Sequence, residues 1–286
     1  MKTLAFIGVG NMAGAILEGI TAEACPVRMP YENIILYDIL EEKLAAYVAR
    51  GCRRAKSIAD AVCASDAIVL SVKPQQYGEV LAEIRASGIS LDGRTFISLA
   101  AGVDTKTISD ALGGAAVIRT MPNTPLLIGE GMTALCRNQA VGDEAFREVY
   151  AMFASRGRVI ELTEDNMNRI IAVNSSAIAC FYRMIRALSH VEGTEAALPG
   201  VDEKTLRMAA AQAALGAARM ALEKEDIPMD ELIAMVTSYK GTTEQMMLTF
   251  DREDFDGTVK RAMLACTHRA DELGEALKDS IKKREE

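Results

Sequence analysis

Short unbroken apolar runs punctuate the first half of the chain: Leu4 to Val9, Ile34 to Tyr37, Ala67 to Val72, Thr95 to Leu99 and Ala115 to Ile118. A strand buried on both faces reads this way because neither side meets water; a half-exposed strand would alternate. Between the runs lie stretches with helical spacing, Met12 to Glu23, Glu41 to Arg50, Gln76 to Ala86 and Thr105 to Leu112. Strand alternating with helix predicts a parallel sheet joined by right-handed crossovers. A further strand, helix and strand are expected near Met132 to Cys136, Asp143 to Ser155 and Arg158 to Ile160.

After about Leu162 the pattern changes. Thr163 is placed to cap a long helix, with Asn166 three residues later. No segment from there to Glu286 reads as a strand. Thr205 to Glu225 is rich in alanine, which favours helix and lets neighbouring helices approach closely. Gly200 and Pro228 punctuate helices, and the charged tail Lys282 to Glu286 is expected to fray. The expected division is residues 1–162 as an α/β domain and 163–286 as an all-helical one.

Composition narrows the function. The 286 residues fit two domains at about 150 residues each. Half are hydrophobic, 32 Lys+Arg face 40 Asp+Glu, and the formal net charge is −8. That balance excludes a generic nucleic-acid binder and a polybasic membrane anchor, both of which need a basic face. No run approaches the ~20 apolar residues of a membrane span, and the N-terminus lacks the pattern of a signal peptide. Six cysteines without C-x-x-C spacing read as buried reduced thiols, so the protein is expected in the cytoplasm. With only His190 and His268 present, both read as helix-surface residues, no His-rich metal site is expected.

Gly8-Val9-Gly10-Asn11-Met12-Ala13-Gly14 follows a predicted strand and opens a predicted helix. In that context Gly8 permits a tight turn, Gly10 admits a pyrophosphate, and the helix offers N–H groups to it. Asp38, at the end of the second run, reads either as an acceptor for an adenosine ribose or as a helix N-cap. As a ribose acceptor it would repel a 2′-phosphate, which leans the expected cofactor toward NADH over NADPH. Lys73 and Asn123 lie in loops leaving later strands: Lys73 reads as a cofactor or substrate contact or a solvated lysine, and Asn123 as a nicotinamide contact or a turn residue. Pro122 and Pro125 stiffen the last of these loops, where a cis bond is one option. In the helical half, Gly241-Thr242-Thr243 precedes an apolar helix from about Gln245 to Phe250 and suits an anion such as a carboxylate, or an ordinary N-cap.

Taken in order, Phe6 to Met12, Val72-Lys73-Pro74, Ile97 to Val103, Ile118 to Pro125, Gly131-Met132-Thr133, Ala209 to Met220 and Gly241-Thr242-Thr243 resemble the pyrroline-5-carboxylate reductase family. The run Arg119-Thr120-Met121-Pro122-Asn123-Thr124-Pro125 is the most specific part. The resemblance implies a Rossmann-type domain, an all-α dimerisation domain intertwined with a second subunit, and NAD(P)H reduction of a cyclic imine to L-proline. It also implies an active site built at the dimer interface. It carries cofactor contacts to Gly8, Gly10, Asn11, Met12, Ser71, Val72, Lys73 and Ala101, and substrate contacts to Gly241, Thr242, Thr243 and Glu225. Thr243 aligns with a threonine near the imine nitrogen and is the expected catalytic residue; Lys240 would add charge attraction for an anionic substrate.

Several positions depart from the family pattern. Ser238-Tyr239-Lys240-Gly241 stands where the family writes Ser-Pro-Gly-Gly, and Ala177-Ile178-Ala179-Cys180 where it writes Gly-Pro-Ala-Tyr. Arg186 and His190 stand at positions usually Glu and Asp. These changes make a reductase of another imine, or a dinucleotide-binding paralogue without turnover, the rival readings. A β-hydroxyacid dehydrogenase shares the plan, but it needs a lysine four residues before Asn174, where this chain has Ile170.

Overall fold

The computed structural model describes residues 1–285, which form two compact units: Met1–Ser175 with the chain from Cys266 onward, and Ser176–Ala265. The sequence boundary at 162/163 thus lies inside the first unit.

In the first unit the chain runs β1 (Leu4–Ile7), α1 (Asn11–Thr21), β2 (Ile34–Tyr37), α2 (Ala45–Ala49), β3 (Arg53–Arg54), α3 (Ile58–Cys63), β4 (Ala67–Leu70), α4 (Tyr77–Ala86), β5 (Thr95–Ser98), α5 (Thr105–Ala111), β6 (Ala116–Met121), β7 (Gly131–Arg137), α6 (Asp143–Ala154), β8 (Gly157–Glu161) and α7 (Ile170–Val173). The strands form one sheet in the order β3-β2-β1-β4-β5-β6-β7-β8. Neighbours are parallel except β6 and β7, which pair antiparallel with Met121 opposite Ala134. Their connection holds only a 3-10 turn, Thr124–Ile128, closed by Gly129 at φ +82°. It is too short for the crossover of a dozen or more residues that a parallel pair needs.

Residues of the central strands are buried on both faces. Leu4, Phe6, Ile34, Leu36 and Val69 pack on the α1 and α6 side, while Ala5, Ile7, Ile35, Ile68 and Leu70 pack on the α3, α4 and α5 side. Each fully buried Leu, Ile or Phe contributes about 1.5–3 kcal/mol. A third cluster, Met121, Ala134, Cys136, Met167, Ile171 and Ala270, explains why 163–175 belongs to this unit.

Thr163 does not cap a long helix. It opens a 3-10 turn, Glu164–Asn166, and α7 ends at Val173. The break has a cause: Asn174 Nδ2 donates to Met121 O (2.8 Å) and Met132 O (3.0 Å), and Ser175 Oγ to Pro122 O (3.1 Å). These bonds draw the segment to the strand ends.

The second unit holds α8 (Ala177–Ser189), α9 (Glu203–Glu223), α10 (Met229–Met235), α11 (Thr242–Arg252) and the beginning of α12 (Phe255–Glu285), whose later part returns to the first unit. Asp202 caps α9 by accepting the Thr205 N–H at 2.8 Å. The tail expected to fray is helical to Glu285, and Glu286 lies outside the described residues. None of the six cysteines is in a disulfide. Cys25, Cys52 and Cys136 are buried, but Cys63 and Cys180 are exposed, against the uniform burial expected.

Candidate functional site

The strand order reverses beside β1, which lies between β2 and β4. The crevice at the carboxyl ends of such strands is where ligands bind in open sheets of this kind. Gly8 leaves β1 at φ +90°, and a Cβ there would stand 2.6 Å from Ser71 O, so both its conformation and the space around it require glycine. Gly10 caps α1 without a side-chain bond, and a Cβ added to it meets nothing within 4 Å. The ground in front of the α1 amides is therefore open, with no acidic residue in the first turn, as a pyrophosphate needs. Gly14 serves packing: a Cβ there would stand 2.8 Å from Tyr47 Oη.

Asp38 is nearly buried, its side chain 6% exposed. Oδ2 accepts the Val9 N–H (2.7 Å) and lies 3.5 Å from Lys43 Nζ; Oδ1 accepts the Leu40 N–H (2.9 Å). The carboxylate thus braces the glycine turn instead of capping a helix. A carboxylate has about four acceptor positions, so two backbone bonds leave capacity for a ribose hydroxyl.

Ser71 and Val72 touch the glycine turn directly: Ser71 N–H donates to Ile7 O (2.9 Å), and Val72 Cγ1 stands 3.0 Å from the position of a Gly8 Cβ. Asn11 and Met12 open α1. Lys73, Ala101 and Asn123 follow the ends of β4, β5 and β6 along the same edge. Lys73 is exposed. Asn123 is buried and its Oδ1 accepts the Met132 N–H (2.9 Å), a brace across the β6–β7 hairpin. No cis peptide bond occurs among the described residues, so the option of one at Pro122 or Pro125 is not taken. Under the β5 loop, Tyr77 Oη donates to Leu70 O (2.6 Å) and lies 3.1 Å from Ser98 Oγ; burial pushes its phenol up to about 12.

In the second unit Gly241 caps α11, with Thr242 and Thr243 as its first residues and no side-chain cap. Lys240 holds the left-handed conformation, φ +55°, that glycine takes without strain, and its N–H donates to Glu244 Oε2 (2.8 Å). The turn thus keeps a glycine-like path with a lysine in it. Lys240 Nζ lies 5.2 Å from the centre of the exposed Tyr239 ring. Glu225 sits in the α9–α10 connection, exposed. His190 ends α8 with Nδ1 3.5 Å from Glu203 Oε2.

One cluster in the first unit was assigned no role from sequence. Arg119, 1% exposed in β6, donates from Nη1 to Glu164 Oε1 (2.6 Å) and from Nη2 to Asn168 Oδ1. Glu164 Oε2 accepts both the N–H (3.1 Å) and the Oγ–H (2.6 Å) of Thr105. An arginine inside an apolar strand run was the available signal, since arginine is almost never fully buried unless paired.

A sheet with a glycine turn at its switch point, in a chain that also carries a helical unit, is the plan of nicotinamide-dinucleotide oxidoreductases. Comparison with known proteins narrows the class. A family described as pyrroline-5-carboxylate reductase dimerisation matches residues 164–273, and one described as NADP oxidoreductase, coenzyme F420-dependent, matches 3–102. The pyrroline-5-carboxylate reductase of Methanosarcina acetivorans is 33% identical, over 96% of this chain and 98% of that protein; the Escherichia coli protein of that name is 32% identical over 96% and 99%. The solved structure of the Coxiella burnetii enzyme, 30% identical, superposes with a TM-score of 0.81 over 95% of this chain and 98% of that one. That of the Plasmodium falciparum enzyme with NADP bound, 24% identical, has the same fold, with a TM-score of 0.83 over 95% and 98%. The chain belongs to the pyrroline-5-carboxylate reductase family.

Proposed function

We propose that this protein reduces 1-pyrroline-5-carboxylate to L-proline, taking the dinucleotide at the Gly8–Met12 turn and the imino acid at the Gly241–Thr243 turn. The observation that carries the reading is the open approach to Gly10 and the α1 N-terminus, in a chain of this family. When bound, the reduced nicotinamide supplies the hydride. A protonated cyclic imine is already an electrophile, so the protein's task is orientation and proximity. The Thr242 and Thr243 N–H groups, unpaired by helix geometry, suit the substrate carboxylate. The Thr243 hydroxyl would hydrogen-bond the ring nitrogen, and Lys240 and Glu225 complete the substrate contacts. On the dinucleotide side, Asn11, Ser71, Val72, Lys73, Ala101 and Asn123 complete the set.

Asp38 supports NADH over NADPH, because a carboxylate beside the ribose repels a 2′-phosphate. The Plasmodium falciparum relative was solved with NADP, so the Michaelis constants for both cofactors decide this point. Self-association as an intertwined homodimer through the helical unit belongs to the same reading. So does a cytoplasmic site, where exposed thiols such as Cys63 and Cys180 stay reduced. No described helix is long and apolar enough to cross a membrane.

The test is oxidation of NADH and NADPH with racemic pyrroline-5-carboxylate and then with its six-membered homologue. Preference for the five-membered ring is expected; preference for the homologue, or binding without turnover, would overturn the reading. Thr243→Ala should lower kcat/KM about tenfold, the equivalent of ~1.4 kcal/mol in the transition state. An unchanged value dismisses the hydroxyl.

A further inference from the structure

The arginine of the family's most specific run is buried, with its hydrogen bonds going to Glu164 and Asn168, and that burial needs a reason. Arg119 lies at 1% exposure in a strand where an aliphatic side chain would pack. Its Nε finds no acceptor, so the guanidinium is incompletely compensated. A buried ion pair of this kind is weak evidence for stability, because desolvation consumes much of the Coulombic gain. What it does provide is directional geometry: a planar fork that can hold a carboxylate in one orientation.

The held carboxylate is Glu164, with its two oxygens divided. Oε1 accepts from Arg119; Oε2 accepts from the backbone and hydroxyl of Thr105 and lies 3.5 Å from Cys136 Sγ. Thr105 is the first residue of α5, so Glu164 grips the end of the loop that leaves β5 through Ala100, Ala101 and Gly102. The same loop is gripped again by α12. Gly102 and Gly274 meet backbone to backbone: a Cβ on Gly102 would stand 2.3 Å from Ala270 O, and one on Gly274 2.2 Å from Gly102 O. Asp104 Oδ2 lies 3.1 Å from Lys278 Nζ, and Asn168 Nδ2 reaches Asp271 Oδ1 at 2.6 Å. At its start the loop is tied by the Ala100 N–H to Ser98 Oγ (3.3 Å).

We infer that Arg119 and Glu164, acting through Thr105, are positioning residues that fix the Ala100–Asp104 loop so that Ala101 meets the dinucleotide in one place. The inference rests on the proposed placement of the dinucleotide on this edge of the sheet. Arg119 sets the carboxylate, the carboxylate sets Thr105, and Thr105 sets the loop. None of the three needs to touch the reacting atoms. A displacement of about 1 Å in a positioning element can lower turnover as much as a hundredfold.

The experiment uses the full-length protein with Thr105→Val, Thr105→Ser and Glu164→Gln. Valine removes the hydroxyl donor and keeps the shape; serine restores the donor. Glutamine keeps an acceptor for Arg119 but turns an NH2 group toward Thr105. Two readouts are taken: kcat at saturating substrates, and the emission of bound NADH, which reports the nicotinamide surroundings without turnover. Thr105→Val and Glu164→Gln should lower kcat about five- to tenfold and shift the bound emission, with the KM for the imino acid changed less than twofold. Thr105→Ser should recover most of both. A brace that is only structural would lower the melting temperature and leave kcat and bound emission as in the wild type, which would overturn the inference. Equal losses in the serine and valine variants would overturn it too. If the wild type binds NADH but does not reduce the imine, the proposed substrate falls and the emission readout alone judges the loop. If Thr105→Val does not fold, Glu164→Gln decides the matter through the same two readouts.

Discussion

The two units bury their apolar residues very differently. In the first, Leu4, Phe6, Ile34, Leu36 and Val69 have no exposure at all, and helices cover both faces of the sheet. In the second, α9 is built largely of alanine, leucine and methionine, yet Met208 is 67% exposed and Leu215 44%, and Ala210 is the helix's one buried residue. A helix that is apolar on most of its circumference belongs in an interior. The first unit completes its core within one chain; the second leaves apolar faces that a monomer would present to water. Large apolar patches on a stable protein mark interaction surfaces, and the family match to a dimerisation domain over 164–273 says what kind. The dinucleotide fold can therefore be judged from one chain, whereas the stability of the helical unit is expected to rise with protein concentration.

The largest expected effect tests that dependence. Leu215→Glu puts a charge on the exposed apolar face of α9. If a second copy covers that face, two unpaired charges are buried per dimer, each at a cost of several kcal/mol. Association should weaken at least a hundredfold, about 2.7 kcal/mol, giving a monomer by light scattering at micromolar concentration. NADH binding by the first unit should survive. An oligomer unchanged in size and melting temperature would show that this part of α9 is not the covered face.

Next in size is the reciprocal change. Gly8→Ala forces a Cβ to 2.6 Å from Ser71 O at φ +90°. The strain of about 1–3 kcal/mol should displace the turn, weakening NADH binding at least tenfold in a fluorescence titration. The oligomer should persist, because the lesion is confined to the first unit. Wild-type affinity in this variant would remove the turn from the dinucleotide site.

The same contrast governs what was legible in the sequence. The runs at β1, β2, β4 and β5 were readable because burial on both faces leaves no polar interruption, and β2 has the expected bounds, Ile34–Tyr37. β3 was not readable: it is two exposed arginines paired with the sheet edge through backbone alone. The antiparallel sense of β7 escaped because it depends on connection length and not on the strand. The helix expected after Thr163 was broken by side chains of Asn174 and Ser175 that bind carbonyls 42 to 53 residues away. At the site, Gly8 and Gly10 were legible from local spacing. Asp38 showed only half its role, since its bond to Val9 spans 29 residues. Glu164 went unnoticed because its partners, Arg119 and Thr105, lie 45 and 59 positions off. The Gly241 turn was legible as an anion site or N-cap from its glycine and threonines ahead of an apolar helix, whereas Glu225 was reached through family resemblance alone.

The smallest expected effect asks whether the first unit's ties are as self-contained as its core. Burial pushes the Asp104 carboxyl up, but the Thr107 hydroxyl and N–H and the Lys278 ammonium outweigh it and hold the group below the ordinary carboxylate range. Lys278 is raised by its bonds to Glu275 and Asp104. A depressed acid stabilises the fold above its unfolded pKa of about 3.9, and that stability is lost as pH falls through the folded value. A raised lysine stabilises below its unfolded pKa of about 10.4 and stops doing so as pH rises through its folded value. The pair therefore works between about pH 4 and pH 10. Asp104→Asn keeps a good N-cap for α5 and removes only the charge. With both side chains partly exposed, it should cost about 0.5 kcal/mol at pH 7. The gap between variant and wild type should narrow as pH falls below about 4 and shrink at high salt. Urea unfolding at pH 7 and pH 3, repeated across protein concentrations, checks both parts. The shift should appear in a transition independent of concentration, as expected of a tie within one chain. A gap that does not narrow between pH 7 and pH 3 would mean that shape, not charge, joins α5 to α12; a gap that scales with dilution would mean that the first unit, too, leans on a partner.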